Sequence, residues 1–96
     1  MKEFGIAEAR KIVEENVNDY VYYRLIKMSD EELLKADLRY DFEMDSLDIE
    51  EMFNSVHSLY GIAVDRYNPL AEYAFNDDET VENFIDMVNY CMEHDV

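Results

Sequence analysis

The chain is poor in the residues that punctuate and cross-link small folds. Among 96 residues there are two glycines, one proline, one cysteine and no tryptophan. A single cysteine, Cys91, excludes an intramolecular disulfide. So few Gly and Pro leave few forced turns, which favours helices over a strand-and-turn fold. No apolar run approaches the length of a membrane span, and Met1–Gly5 lacks a signal-peptide pattern. Basic residues are scarce as well: eight Lys and Arg stand against 24 Asp and Glu, a net charge of −16. That balance should repel nucleic acid and anionic membranes. These absences point to a cytoplasmic protein without membrane insertion.

What is present is a core. Apolar residues make up 49% of the chain, enough for one compact domain over 1–96. The charge is unevenly placed. Residues 1–39 carry seven basic and nine acidic side chains; residues 40–96 carry one basic residue, Arg66, and fifteen acidic ones. A half this acidic should attract basic protein surfaces and speed encounters with them.

Residues 6–27 read as a long first helix, with Ile6, Ala9, Val13, Val17, Tyr20, Val21 and Leu25 near a 3.6-residue period. The β-branched and aromatic segment Val17–Tyr23 competes as a strand, but no partner strand is evident. Ser29-Asp30-Glu31-Glu32 is a capping box, so a short helix is expected at 30–35. Leu38, Tyr40 and Phe42 alternate, as an extended segment pinned over the core would. The next helix is predicted at about 46–60, with Ile49, Met52, Phe53, Val56, Leu59 and Tyr60 on one face and Gly61 at its C-terminal stop. Asn68-Pro69 should start a short helix over 69–75, with Leu70, Tyr73 and Ala74 inward. Thr80 should cap the last helix, about 81–93, whose apolar face is Val81, Phe84, Ile85, Val88, Cys91 and Met92.

The helix start at Asp45 holds the most informative residues. Asp45 can N-cap it, with Asp48 completing a short capping box and Met44 and Ile49 forming a hydrophobic staple. Leu47 would be the first apolar anchor. Ser46 falls at the first helical position, where free N–H groups and partial positive charge accommodate a phosphate.

Asp45-Ser46-Leu47, the acidic lead-in before it, Tyr60-Gly61-Ile62-Ala63-Val64-Asp65 after it, and Thr80-Val81 resemble the acyl carrier protein family. The resemblance covers roughly residues 12–92 with one insertion. It implies an all-α, small four-helix bundle, with a short extra helix in the first long loop. Residues 1–10 would be an N-terminal extension and 65–80 a lengthened connection. The resemblance further implies a non-catalytic, monomeric carrier in fatty-acid, lipid or polyketide-type biosynthesis. A 4'-phosphopantetheine arm would be attached to Ser46 between Asp45 and Leu47. A phosphopantetheinyl transferase would load it, and acyl-transferring or condensing enzymes would dock on Asp48, Glu50 and Glu51. Acyl cargo would be sheltered among Met52, Val56, Leu59, Leu70, Phe84 and Val88. Where the family has Gly-Ala before Asp-Ser-Leu, this chain has Glu43-Met44, a departure that bears on the loop backbone. Glu50 replaces a usual apolar residue. Both departures suggest a specialised, divergent carrier. The alternatives are an unmodified acidic helical adaptor and a carrier of aminoacyl or peptidyl groups.

Other chemistries fit less well. Asp41-x-Glu43-x-Asp45 could open a calcium loop, but Ser46 and Met52 stand where that loop needs Gly and Glu. Ser46 and His57, eleven residues apart on one helix, are separated by about 16 Å of helical rise, too far for a nucleophile and its base. Cys91, His94 and His57 are too few for a metal site on their own. There is no P-loop and no Gly-rich dinucleotide turn.

Overall fold

A computed structural model describes residues 3–66 and 74–94. Among these the protein is all-α: α1 (Ile6–Asn16), α2 (Asp19–Leu25), α3 (Asp30–Lys35), α4 (Ser46–Tyr60) and α5 (Val81–His94), with one 3-10 turn at Ala74–Asn76. Among the described residues the only β-type pairing is an isolated bridge between Asp37 and Thr80.

The single helix expected over 6–27 is two helices. Val17 and Asn18 are both extended, and the Asn18 carboxamide oxygen accepts the Val21 N–H at 2.9 Å, capping α2. Asparagine offers the backbone this local alternative, and a neighbouring β-branched valine weakens continuation of the helix. Asn16 closes α1 by donating to the Ile12 carbonyl at 2.7 Å. The break re-aims the second half, so Tyr20, expected inward, is 67% exposed while Val21 and Leu25 stay buried.

Arg10 fastens the pieces. From α1 it donates to the carbonyls of Leu25 and Met28 at 3.2 and 3.0 Å and to Asp30 Oδ1 at 3.0 Å, at the end of α2 and the start of α3. The residue two before α1 is fastened too. Phe4 is fully buried, its N–H and C=O both pair with the Asn89 side chain at 2.8 Å, and its ring meets Tyr60 and Phe84 edge-on.

α4 and α5 run where their periodicity predicts. α4 buries Ile49, Met52, Phe53 and Val56 against α1. It ends at Gly61, which sits at φ +69° and donates its N–H to the His57 carbonyl at 2.9 Å. A left-handed stop of this kind suits glycine because no Cβ is strained. Leu59, expected on the buried face, is 42% exposed. α5 buries Val81, Phe84, Met87, Val88 and Cys91, and Thr80 Oγ1 accepts the Asn83 N–H at 3.2 Å as its cap. The helix expected at 69–75, including Leu70 and Tyr73, lies outside the described residues up to Ala74, which is exposed; Phe75 beside it is fully buried.

Candidate functional site

The segment before α4 is a turn and not the extended strip its alternation suggested. The Asp37 carboxylate accepts the N–H groups of Arg39 and Tyr40, both at 2.9 Å, and Asp41 Oδ2 accepts the Asp37 N–H at 2.7 Å. Leu38 and Phe42 therefore plunge into the core together, while Tyr40, at 89% exposure, projects outward. The turn is stitched to the lead-in of α5: Leu38 N–H donates to the Glu79 carbonyl and Val81 N–H to the Ala36 carbonyl, at 2.9 and 3.1 Å.

Glu43 then adopts φ +56°, the only positive φ among the described non-glycine residues. This reversal seats both Phe42 and Met44 in the core. Arg24 supports it, donating to the Asp41 carbonyl at 2.8 Å and lying 3.7 Å from the Glu43 carboxylate. A glutamate thus bears a left-handed backbone directly before Met44, at the position where the sequence departs from the resembling family's glycine.

The capping box forms as predicted. Asp45 Oδ1 accepts the Asp48 N–H at 2.8 Å, and Asp48 Oδ2 accepts the Asp45 N–H at 3.1 Å. The Asp48 N–H bond, foremost, holds the Asp45 carboxyl below its ordinary range. Met44 and Ile49, the staple pair, are both buried. Ser46 is exposed at the first position of α4. Leu47, read as an inward anchor, is instead 68% exposed next to it.

Arg39 reaches the serine. Its Nη2 donates to Ser46 Oγ at 3.1 Å. The same guanidinium is forked onto Glu79, Nε to Oε1 and Nη2 to Oε2, and this bond keeps Arg39 more firmly protonated than a free arginine. Glu79 also faces Arg66, 3.7 Å away, whose guanidinium lies over the Phe53 and Phe75 rings and 3.8 Å from Glu50. A chain of alternating charges thus runs from Arg39, which touches Ser46, through Glu79 and Arg66 to Glu50.

The expected docking residues differ from one another. Glu51 is exposed. Asp48 is only half-exposed, with one oxygen committed to the capping box, and Glu50 faces Arg66. Glu51 and Asp48 share a groove of about 380 Å³ with Glu15, Glu43, Asn16, Asn18, Val17 and Phe42. Of the expected cargo-lining set, Met52, Val56, Phe84 and Val88 are fully buried, Leu59 is exposed and Leu70 lies outside the described residues. Phe53, Phe75 and Phe84 form a ring cluster there with centroids 5.9–6.2 Å apart, so a chain could enter only if those contacts parted.

The chemistry open to Ser46 follows from its partner. Arginine donates and cannot take the hydroxyl proton, so the partner that Ser46 has here is not a base. An exposed hydroxyl beside a guanidinium and a helix N-terminus is instead suited to accept and hold an anionic group. The residues therefore fit a phosphate ester at Ser46. Among the described residues no three His, Cys, Asp or Glu side chains converge as a metal site, and no helix is long and apolar enough to cross a membrane.

Comparison with known proteins finds no matching family model, no matching curated protein and no matching solved structure.

The sequence reading missed Arg39, whose partner Glu79 is 40 residues away. One signal was available: Arg39 is the only Lys or Arg between Lys35 and Arg66, and it precedes Ser46 by seven residues.

Proposed function

We propose that this protein is a divergent carrier of the acyl carrier type, a small helical bundle with Ser46 as acceptor of 4'-phosphopantetheine. The observation that carries the reading is the surroundings of Ser46. Its hydroxyl is exposed at the start of a 15-residue helix, and Arg39 Nη2 stands 3.1 Å from the atom that would bond phosphorus. The left-handed backbone at Glu43 supports it, since the resembling family has glycine there.

The protein catalyses nothing itself. Ser46 Oγ attacks the pantetheine-bearing phosphorus of coenzyme A on a separate transferase. The new Oγ–P bond forms as the pyrophosphate bond breaks, the adenosine bisphosphate leaves, and the hydroxyl proton passes to a base of the transferase. When bound, the arm supplies a terminal thiol that holds acyl groups as thioesters. Enzymes with basic surfaces dock on the groove of Glu15, Glu43, Asp48 and Glu51. Exposed ion pairs are worth about 0–1 kcal/mol each, so several act together.

Intact-mass measurement after incubation with a broad-specificity phosphopantetheinyl transferase and coenzyme A tests the reading. Wild type gains one phosphopantetheine and Ser46→Ala gains none. In the same assay, reversing the charges of Glu15 and Glu51 slows loading at low salt. Folded wild type left unmodified by several such transferases replaces this reading with the unmodified adaptor. Which cargo enzymes accept the loaded protein separates acyl from aminoacyl or peptidyl carriage.

A further inference from the structure

The geometry points to Arg39 as the positioning residue for a phosphate on Ser46, with Glu79 as the post that holds its guanidinium there. The inference rests on the reading of Ser46 as a phosphate-bearing acceptor, and it names the group that orients the root of the arm.

Three observations carry it. The first is reach: Arg39 Nη2 donates to Ser46 Oγ at 3.1 Å, so oxygens on a phosphorus bonded to Oγ fall beside the guanidinium. The second is restraint. A free arginine loses much rotamer freedom when it grips an anion, and that cost reduces what the grip contributes. Here the freedom is already lost. Glu79 engages Nε and Nη2, Asp37 accepts the Arg39 backbone N–H, and the turn is bonded to the Glu79 backbone through Leu38. Among the described residues Nη1 makes no hydrogen bond, so its N–H groups remain for a further acceptor.

The third is charge. Glu79, Asp37 and Asp45 all face Arg39, but each is shared: Glu79 with Arg66, Asp37 with the backbone of its own turn, and Asp45 with the Asp48 N–H. Ser46 itself brings no charge to a guanidinium that touches it. An ester phosphate would bring one in the place where charge-assisted bonds form best, and guanidinium is well shaped to receive it. The same contact would tie the arm, through Glu79, to the lead-in of α5, giving it a fixed exit direction.

The test uses phosphoserine installed at position 46 of the full chain, followed by phosphorus NMR through the second phosphate ionisation, which in phosphoserine has a pKa of about 6. Held by Arg39, that ionisation should fall by about half a unit to one unit, the exposed-site end of what a neighbouring guanidinium does. Arg39→Gln should abolish the fall, and Arg39→Lys should keep part of it. Arg24→Gln removes a guanidinium bound to Asp41 in the same loop and should leave the fall intact, which excludes a mere change in net charge. If Arg39→Gln does not fold, the lysine and Arg24 variants still decide: a fall equal in Arg39→Lys and wild type, or lost equally in Arg24→Gln, overturns the inference. So does an identical ionisation in wild type and Arg39→Gln. The mass experiment is separate. A chain that no transferase loads, but whose phosphoserine responds to Arg39, refutes the carrier reading and leaves Arg39 as a phosphate-positioning group. A chain that is loaded, but whose phosphoserine ignores Arg39, does the reverse.

Discussion

α3 and α4 begin with the same device. Each has a methionine before the cap, Met28 and Met44; a capping box, Ser29 with Glu32 and Asp45 with Asp48; and a buried aliphatic residue after it, Leu33 and Ile49. Each also has an arginine from another segment on its first helical side chain. Arg10 meets Asp30 at 3.0 Å, and Arg39 meets Ser46 at 3.1 Å. The difference lies in what the arginine finds. At α3 it finds a carboxylate, and Arg10 spends its other donors on backbone carbonyls, so the site is complete. At α4 it finds a neutral hydroxyl. Capping boxes and staples therefore mark both helix starts alike; the α4 start differs in that its arginine, paired with Glu79, also meets an uncharged hydroxyl.

The largest expected effect tests whether the two starts are equally anchored. Met44 is 4% exposed, whereas Met28 is only partly buried. Met44→Ala should cost about 2–4 kcal/mol, transfer and cavity terms together, and Met28→Ala roughly 1 kcal/mol. Urea unfolding checks both. Equal losses would mean that the α4 start is held no more firmly than the α3 start.

A smaller effect, of opposite sign, is expected one residue earlier. The approach to α4 includes a left-handed glutamate, and the approach to α3 has no counterpart among the described residues. Holding an L-residue at φ +56° costs about 1–2 kcal/mol, and glycine relieves it while losing about 0.5–1 kcal/mol to its freer unfolded chain. The exposed Arg24–Glu43 contact at 3.7 Å offsets a few tenths at most. Glu43→Gly should therefore raise stability by up to about 1 kcal/mol, read by the shift in urea midpoint. Destabilisation would show that the glutamate side chain, and not the backbone alone, shapes the loop.

The contrast also explains what could be read in advance. Caps are local: Ser29, Asp45, Thr80 and the Gly61 stop each act within four residues, and all four lie where the sequence places them. Periodicity is less decisive where a local cap competes with it. The apolar spacing through Val17 and Tyr20 suits one helix, but Asn18 supplies a cap in its middle, and the chain breaks there. The alternation of Leu38, Tyr40 and Phe42 fails for the same reason, because Asp37 and Asp41 close a turn. Leu47 and Leu59 lie at the two ends of α4, where fewer neighbours can cover a side chain, and both are substantially exposed. Arg39 is the opposite case. Its meeting with Glu79 and Ser46 depends on the tertiary approach of the α5 lead-in, for which no short-range pattern exists.

The smallest effect is electrostatic and separates the two capping boxes most finely. Asp45 lies below its ordinary value of 3.8 chiefly through the Asp48 N–H bond, with a minor contribution from Arg39; Glu32 lies below 4.5 through its bonds with Ser29. A carboxyl whose folded-state pKa is depressed contributes stability in full above its unfolded value, and that contribution drains away as pH falls through the folded value. Relief of repulsion among 24 acidic side chains acts on every variant in acid, so differences between variants are the informative quantity. Asn caps nearly as well as Asp, so Asp45→Asn removes charge and keeps the cap; Glu32→Gln does the same at α3. Each variant should melt below wild type at pH 7, and each gap should close as pH drops below about 4. Salt then divides the boxes. The Asp45 gap includes an attraction to Arg39 across partly exposed space and should narrow as salt is added, whereas the Glu32 gap rests on short hydrogen bonds and should narrow less. An identical salt response at both boxes would mean that Arg39 exerts no field at the start of α4, and the distinction between the two helix starts would fail.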